Sequence, residues 1–454
     1  MSKEFKEYAM HPLEAVGLYR ELQRLGPKAL IDHMLTNYPD LAYVDLPLGR
    51  QPMVFISSPR LADAILVDNH DSIAKNTRDF RILRESLPSA LIPTATEAWV
   101  NRRRLILPAF NHHRIAEFLP VMAEHAKESL SNWESRSTTG SIILDQELAQ
   151  LTVNIITNFL FGQDARKEAA GITADVGILA KHFSNRVAHF GWPPLNLPLK
   201  ENQQFHQAWE RLYRVLGKMV DMHTGTNVGD NENLLSALLE ARDEETNQLL
   251  PKEEIIEEML AMLIAGHETT AIALTWSLIL LNEHPDVAMG VKKDIHMVLG
   301  GRAPTMEDLK QLSSVNWVIR EAMRLYPPVW VFSRKAANDF SLPNGLLLPK
   351  GMNIIISPLT MHRHPDYWNK PNEFIPARFD NATSTDRHTE AWRPFGAGRR
   401  RCLGAELALT EAALILTTIL AFHDVRILEK ARPALLVTTR PDKPVAAKIL
   451  PISS

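Results

Sequence analysis

The sequence predicts a mainly α-helical protein with small β-sheets. Two observations carry that expectation. From about residue 60 to 325 apolar residues recur at the helical period, as in "RIAEFLPVMAEHAKESLSNW" and "LLSALLEARDEE". Short strand-like pieces gather near the start and in the last third of the chain. No internal repeat, low-complexity tract or linker interrupts the 454 residues, so a single domain over residues 1–454 is expected, with no fused reductase.

Taken in order, "AYVDLP" and "PMVFISS" alternate like strands about a turn at Gly49, Arg50 and Gln51. "HFGWPPLNLPLK", residues 189–200, has three prolines and reads as a loop between two helices. "MLAMLIAGHETTAIALTWSLILL", residues 259–281, is long enough to span a bilayer. His267, Glu268, Thr269 and Thr270 at its middle would be costly in lipid, so a buried helix through a protein core is expected. "WVFSRKAA", "FSLPNGLLLPKG" and "MNIIISP" follow as strands, then a proline-punctuated coil over 358–398. A helix from about 404 to 422 leads into the tail "VRILEKARPALLVTTRPDKPVAAKIL", which reads as a small hairpin sheet.

Apolar residues make up 45% and charged residues 23%, the balance of a soluble globular chain. A net charge of −3 without a basic stripe argues against nucleic acid as a partner. One cysteine cannot form an internal disulfide. The opening "MSKEFKEYAMHPLEAVGLYR" is charged and lacks an apolar run, so neither a signal peptide nor a membrane anchor is expected, and the location expected is cytoplasmic.

That one cysteine, Cys402, lies in "FGAGRRRCLG". It sits just before a helix start, where unpaired N–H groups and the positive dipole end favour an anion. Arg399, Arg400 and Arg401 add positive charge, which favours a thiolate. Gly396, Gly398 and Gly404 let the backbone fold tightly against something flat. Such a thiolate suits one axial bond to a heme iron. A lone cysteine is more usually an inert buried residue, but three flanking cations make that reading awkward.

In "AGHETT", residues 265–270, Gly266 costs about 1 kcal/mol relative to Ala within a helix. Small residues there make sense where a flat group or a bound gas needs the backbone close. Ala265 and Thr269 are four apart, so the threonine hydroxyl can bond the Ala265 carbonyl and loosen the helix locally. Glu268 and Thr269 together supply an acid and an alcohol, the minimum for relaying protons into a dry site. His267 reads as core. "HETTA" falls short of the H-E-x-x-H zinc helix, because Ala271 cannot bind metal. No G-x-G-x-x-G or Walker motif is present.

The stretch around Cys402 resembles the heme-thiolate signature of the cytochrome P-450 monooxygenases, with Phe395, Gly398, Arg400, Cys402 and Gly404 in register. Three further stretches resemble that family in its order. "EAMR" places Glu321 and Arg324 at i and i+3, where the ordinary reading is a surface ion pair worth under ~1 kcal/mol. "FIPARF" contributes Pro376, Arg378 and Phe379, with Ala377 where many members have Glu. "WVNRRRLILPAF" resembles the family's C-helix, with Arg102 and Arg104 reading as a solvated charge run.

The resemblance implies the P-450 fold with heme b between the helix carrying Thr269 and the loop carrying Cys402. It implies Cys402 as the axial ligand, Phe395 packed beside the sulfur, and Arg400, Trp99, Arg103 and Arg334 as propionate partners. Arg378 would complete a buried triad with Glu321 and Arg324, Ala265 would border the cofactor, and Thr269 with Glu268 would deliver protons. The implied activity is insertion of one oxygen atom from dioxygen into an apolar substrate, a fatty acid or terpenoid. Electrons would come from a separate ferredoxin or flavodoxin with its reductase, docking on the arginines around Cys402 and on exposed Arg102, and the protein would be a monomer. Family analogy places specificity around residues 72–97, in "GWPPLNLP", in "VWVF" and at "VTTRPDKP", with Trp192, Val329, Val331 and Phe332 suggesting an apolar pocket. The alternatives are a heme-thiolate isomerase or dehydratase without external electrons, and a non-catalytic heme-binding protein.

Overall fold

The computed structural model describes residues 3–45, 52–94, 97–162, 169–189, 191–223, 233–240, 242, 247–380, 382 and 391–452. The turn expected at Gly49, Arg50 and Gln51 lies outside them, as do residues 95, 96, 190, 241 and 243–245 and much of 381–390. The chain divides into two compact units, each assembled from separate stretches. The first holds Met1–Thr77, Asn316–Cys402 and Lys430–Lys443; the second holds Arg78–Val315, Leu403–Glu429 and Pro444–Ser454.

In chain order the strands are β1 (Ala9–Met10), β2 (Leu41–Val44), β3 (Met53–Ile56), β4 (Ile73–Ala74), β5 (Ile142–Ile143) and β6 (Phe332–Ala336). Then come β7 (Phe340–Ser341), β8 (Leu347–Leu348), β9 (Asn353–Ile356), β10 (His423–Ile427), β11 (Pro433–Leu435), β12 (Thr439–Pro441) and β13 (Ala446–Pro451). The helices that matter for the site are α1 (Glu97–Ile106), α2 (His112–Thr139), α3 (Leu144–Phe161) and α4 (Ala169–Ala188). With them go α5 (Lys200–His223), α6 (Lys252–Glu283), α7 (Ser313–Leu325) and α8 (Ala405–Phe422).

The first unit contains a six-stranded sheet in the order β1-β2-β3-β9-β6-β4. β3 and β9 run parallel, Val54 beside Ile354 and Ile56 beside Ile356, and all four side chains are fully buried. β-Branched residues at every second position suit a strand with one face on the core. β6 pairs antiparallel with β9 and sets Arg334 opposite Ile354. "FSLPNGLLLPKG", read as one strand-like piece, forms two short strands, β7 and β8, that pair as an antiparallel hairpin.

The tail is not the single hairpin that its pattern suggested. Its inner strands β11 and β12 pair with each other in the first unit. Its outer strands β10 and β13 pair with each other in the second, where β13 also takes β5 as a partner. β4 and β5 likewise interrupt the stretch read as helical; at two residues each they are too short to leave a period.

The second unit is helical. α6 is the buried core helix the sequence predicts: every residue from Ala271 to Leu281 is buried, as a helix apolar all round should be. α6 and α8 are both long and apolar enough to cross a membrane, yet 72% and 67% of their most apolar stretches are buried within the protein. Gly266 has a packing reason of its own. A Cβ there would meet the Ile156 side chain of α3 at 3.0–3.1 Å. Two helices approach closely at this point, so a methyl on residue 266 would have to push the Ile156 side chain aside by a few tenths of an ångström.

Candidate functional site

In the first unit, residues 395–402 form a closed loop. Cys402 N donates to Phe395 O at 3.0 Å, and Arg401 N donates to Gly398 O at 3.1 Å. Gly396 and Gly398 turn the chain with φ of 70° and 67°, a region that side chains disfavour. Gly398 also lies against backbone: a Cβ there would stand 2.1 Å from the Leu66 carbonyl oxygen. Cys402 lies two residues ahead of Gly404, the N-cap of α8, and its side chain is exposed. Arg400 is half-buried, whereas Arg399 and Arg401 are exposed. Arg399 Nη1 approaches Asp71 Oδ1 at 3.6 Å.

Two contacts moor this loop that its own sequence does not disclose. Arg393 grips Asp63 through Nε at 3.1 Å and Nη2 at 2.8 Å. Its backbone N–H donates to His362 Nε2 at 2.9 Å. An arginine immediately before the Pro394–Phe395 corner was the available signal.

The Glu321–Arg324 pair is not on the surface. Both side chains are fully buried and Arg378 is 5% exposed. Arg324 donates to both Glu321 oxygens at 2.7 and 2.8 Å, and Arg378 Nε donates to Glu321 Oε1 at 3.1 Å. Arg324 further donates to the carbonyls of His362, Pro371 and Glu373. Arg378 donates to that of Asn369. Trp368 lies under both guanidiniums, 5.1 and 6.0 Å from its ring centroid. Two cations on one carboxylate, with spare N–H groups on carbonyls, leave little buried polarity uncompensated. Arg334 is 6% exposed and donates to Ser333 O at 2.7 Å. Its guanidinium stands 5.1 Å over Phe332.

In the second unit, Thr269 Oγ1 donates to Ala265 O at 3.0 Å, the bond expected from their spacing. α6 nevertheless runs unbroken from Lys252 to Glu283, so the helix accepts this bond without opening. Ala265 is exposed and Gly266, Glu268 and Thr269 are half-buried, in the middle of an otherwise buried helix. His267 is core: its ring meets Leu263 O at 2.8 Å, and its carbonyl accepts from Thr152 Oγ1 at 2.9 Å. On α1, Trp99 is buried and carries the Arg103 guanidinium 5.5 Å from its ring centroid. Arg104 is exposed. Arg102, expected to be a solvated docking charge, is instead 10% exposed and paired with Glu254 of α6. Trp192 is 66% exposed, so it is neither core packing nor an enclosed wall.

The pattern reading also missed Glu411, an acid in the apolar run "AELALTEAALIL" of α8. It is buried, with the Thr270 hydroxyl, next to Thr269, as the neighbour that favours its charged form. Burial pushes its carboxyl up to about 8. A lone acid at a core position was the signal.

The donor set tests what these residues could hold. Among the described residues no group of three or more His, Cys, Asp and Glu is placed to hold a metal ion. A single exposed thiol therefore matches no zinc or iron–sulfur site, which take several protein ligands. It would suit an iron whose other ligands a porphyrin supplies. The exposed Ala265 on α6 offers the bare contact that a flat apolar ring needs. The residues fit heme b.

Fold and donor set thus define a heme-thiolate protein. The chain belongs to the cytochrome P450 family, whose model matches residues 18–444. Cyclooctatin synthase of Streptomyces melanosporofaciens is 31% identical over 382 residues, 83% of this chain and 81% of the relative. Cyclooctat-9-en-7-ol 5-monooxygenase of the same organism is 30% identical, with 83% of this chain and 81% of the relative covered. A cytokinin hydroxylase of Arabidopsis thaliana is 28% identical, covering 89% and 80%. The chain is a cytochrome P450 monooxygenase, an oxidoreductase with heme b as cofactor, an apolar substrate and a need for a redox partner.

Proposed function

We propose that this P450 hydroxylates a cyclic terpenoid, drawing electrons from a separate ferredoxin or flavodoxin and its reductase, as a cytoplasmic monomer. The observation that carries the dioxygen route is the Glu268–Thr269 pair beside exposed Ala265 on α6. Terpenoid is preferred to fatty acid because cyclooctat-9-en-7-ol 5-monooxygenase is named for a cyclic alkenol. Within these residues one cysteine and no dinucleotide fingerprint leave electron transfer to another protein. Arg399 and Arg401 give the Cys402 loop an exposed basic rim for an acidic partner; Arg102 has no part in it.

Cys402 would supply the thiolate that ligates the heme iron, and the Phe395 carbonyl holds its amide in place. Arg400, Arg334, Arg103 and Trp99 would hold the propionates, since buried carboxylates require paired charge. When bound, heme b supplies dioxygen activation and insertion of one atom into a C–H bond. Thr269 spends its proton on the Ala265 carbonyl and keeps its oxygen lone pairs available to a water. Glu268, half-buried beside it, holds and passes protons from solvent. Ala265, with one methyl, keeps that face low. The segment 72–94 borders the substrate.

The test uses purified holoprotein with a surrogate ferredoxin and reductase, isotopically labelled dioxygen, and panels of cyclic terpenoids and straight-chain fatty acids. A terpenoid should shift the Soret band and gain one labelled oxygen atom. Thr269→Ala should keep the reduced carbon monoxide spectrum and lose about 10-fold or more of product per electron. Turnover without reductant would instead establish the isomerase or dehydratase, and oxygen consumption unaffected by every compound a heme carrier.

A further inference from the structure

α6 opens with the acidic run "KEEIIEE", and two of its carboxylates leave their own helix to hold one segment of chain. Ser89 N donates to Glu257 Oε2 at 2.8 Å, and Leu91 N donates to Glu258 Oε2 at 2.8 Å. Residues 87–94 form turns rather than helix or strand, so side chains serve these amides where a ladder would elsewhere. The segment is nonetheless inside the protein: Leu87, Ala90 and Leu91 are buried. Arg84 Nη1 adds a bond to Pro93 O at 2.7 Å.

Glu258 is fully buried, and its Oε1 has no hydrogen-bond partner among the described residues. Half of this carboxyl is therefore satisfied and half is not, an arrangement that a neutral acid tolerates and an anion does not. The charges acting on it are Arg102 from α1 and Glu254 and Glu257 from its own helix. Arg102 is already paired with Glu254. Across the other packed elements, Tyr213 of α5 faces Glu257, and Asp221 of α5 pairs with Lys252. Burial outweighs the Leu91 amide and Arg102 and pushes the Glu258 carboxyl up to about 7. Glu257 is raised too, chiefly by burial.

We propose that Glu257 and Glu258 form a clasp which holds residues 87–94 against α6 while Glu258 is neutral and releases them when Glu258 ionises. In the closed state the proton is held up to about pH 7; in an open, hydrated state it is lost near the ordinary 4.5. Opening is thus linked to proton release. Below about pH 4.5 it is independent of pH; between there and about pH 7 it rises with pH; above, it is level. Because the substrate reading above places this segment beside the substrate, the clasp would set how tightly an apolar molecule is held near neutral pH.

Amide exchange of peptides spanning 87–94 in the holoprotein tests this, measured from about pH 5.5 to about pH 8.5 and corrected for the intrinsic rate at each pH. The opening constant should rise by up to about tenfold per unit to about pH 7 and then level off. Glu258→Gln, which keeps an acceptor for Leu91 and cannot titrate, should give a flat profile near the low-pH value of the parent. Glu257→Gln should keep the slope and open the segment more at every pH. A flat profile in the unsubstituted protein, an opening constant that falls with pH, or an unchanged slope in Glu258→Gln overturns the clasp. Soret titration with geranylgeraniol, a neutral probe, separates the two readings. If exchange shows the slope and geranylgeraniol affinity ignores both pH and Glu258→Gln, the clasp stands and the segment does not border the substrate.

Discussion

A side-chain carbon at Gly398 would stand 2.1 Å from the carbonyl oxygen of Leu66 and 2.9 Å from its carbonyl carbon. The Cys402 loop is therefore pressed onto the backbone of the Pro59–Asp63 helix and its continuation at a point where no other residue fits. Gly396, two residues earlier, has a similar φ but nothing within 4 Å of its absent Cβ. The two glycines separate strain from space. Gly396→Ala should cost roughly 1–2 kcal/mol, the left-handed penalty alone, and retain heme. Gly398→Ala adds a backbone collision and should lose most heme. Thermal midpoints and the reduced carbon monoxide spectrum check both.

Gly266 and Ile156 should behave as a coupled pair. Gly266→Ala gains up to about 1 kcal/mol of helix propensity but drives a methyl to 3.0 Å from Ile156. Alone it should be neutral to destabilising by about 1–2 kcal/mol. In an Ile156→Ala background, which removes the facing atoms, the same change should stabilise. A double-mutant cycle by denaturant unfolding should therefore give a coupling of about 1–3 kcal/mol. Additive behaviour would return Gly266 to a role at the cofactor.

Arg378→Ala should destabilise by about 3–5 kcal/mol, because it strips a buried carboxylate of one of its two cations. Arg378→Lys should rescue little, since one ammonium cannot reach both Glu321 and the Asn369 carbonyl. Unfolding midpoints of the two variants, compared side by side, test this. Full rescue by lysine would mean that charge alone matters there.

The pH dependence of stability isolates Glu411. Its folded carboxyl keeps its proton to about 8, against an ordinary 4.5, so stability falls as pH rises through that window and is level above it. Glu258 acts in the same direction but levels off near 7. Buried His182 and His362, lowered to about 4 and about 3, lend stability that is gained as pH rises to 6.5 and is constant beyond. Between pH 7 and 8 Glu411 makes the largest change of these four, with Glu258 contributing a smaller tail. Denaturant unfolding should show a loss of about 1 kcal/mol from Glu411 across that unit, and that part should vanish in Glu411→Gln. A parallel loss in the variant would assign the effect elsewhere.

Much of the candidate site was legible because its parts lie close along the chain. Phe395 to Cys402 closes on its own backbone, Thr269 reaches Ala265 one turn away, and Trp99 stacks Arg103 at the same spacing. Local spacing dictates which of these groups can meet. The helical class was legible for the same reason, and the all-round apolar run of α6 announced its burial.

What the pattern left open were partners far apart in sequence. Arg102 read as solvated because nothing nearby in the chain names Glu254. Gly266 read as room for a ligand because Ile156 is on another helix. The tail read as one hairpin because adjacent β strands commonly pair, whereas β10 skips β11 and β12 in the sequence to pair with β13, which also takes up distant β5. Glu411 drew no reading from the pattern, because only the folded chain buries it beside Thr270. Residue order by itself determined the chemistry on offer: one thiol in a glycine-cornered loop, an acid beside an alcohol on an apolar helix, and a Glu-x-x-Arg turn. Packing decided which charges are buried, which glycines carry contacts and which protons are held, because desolvation depends on neighbours that only the folded chain brings together.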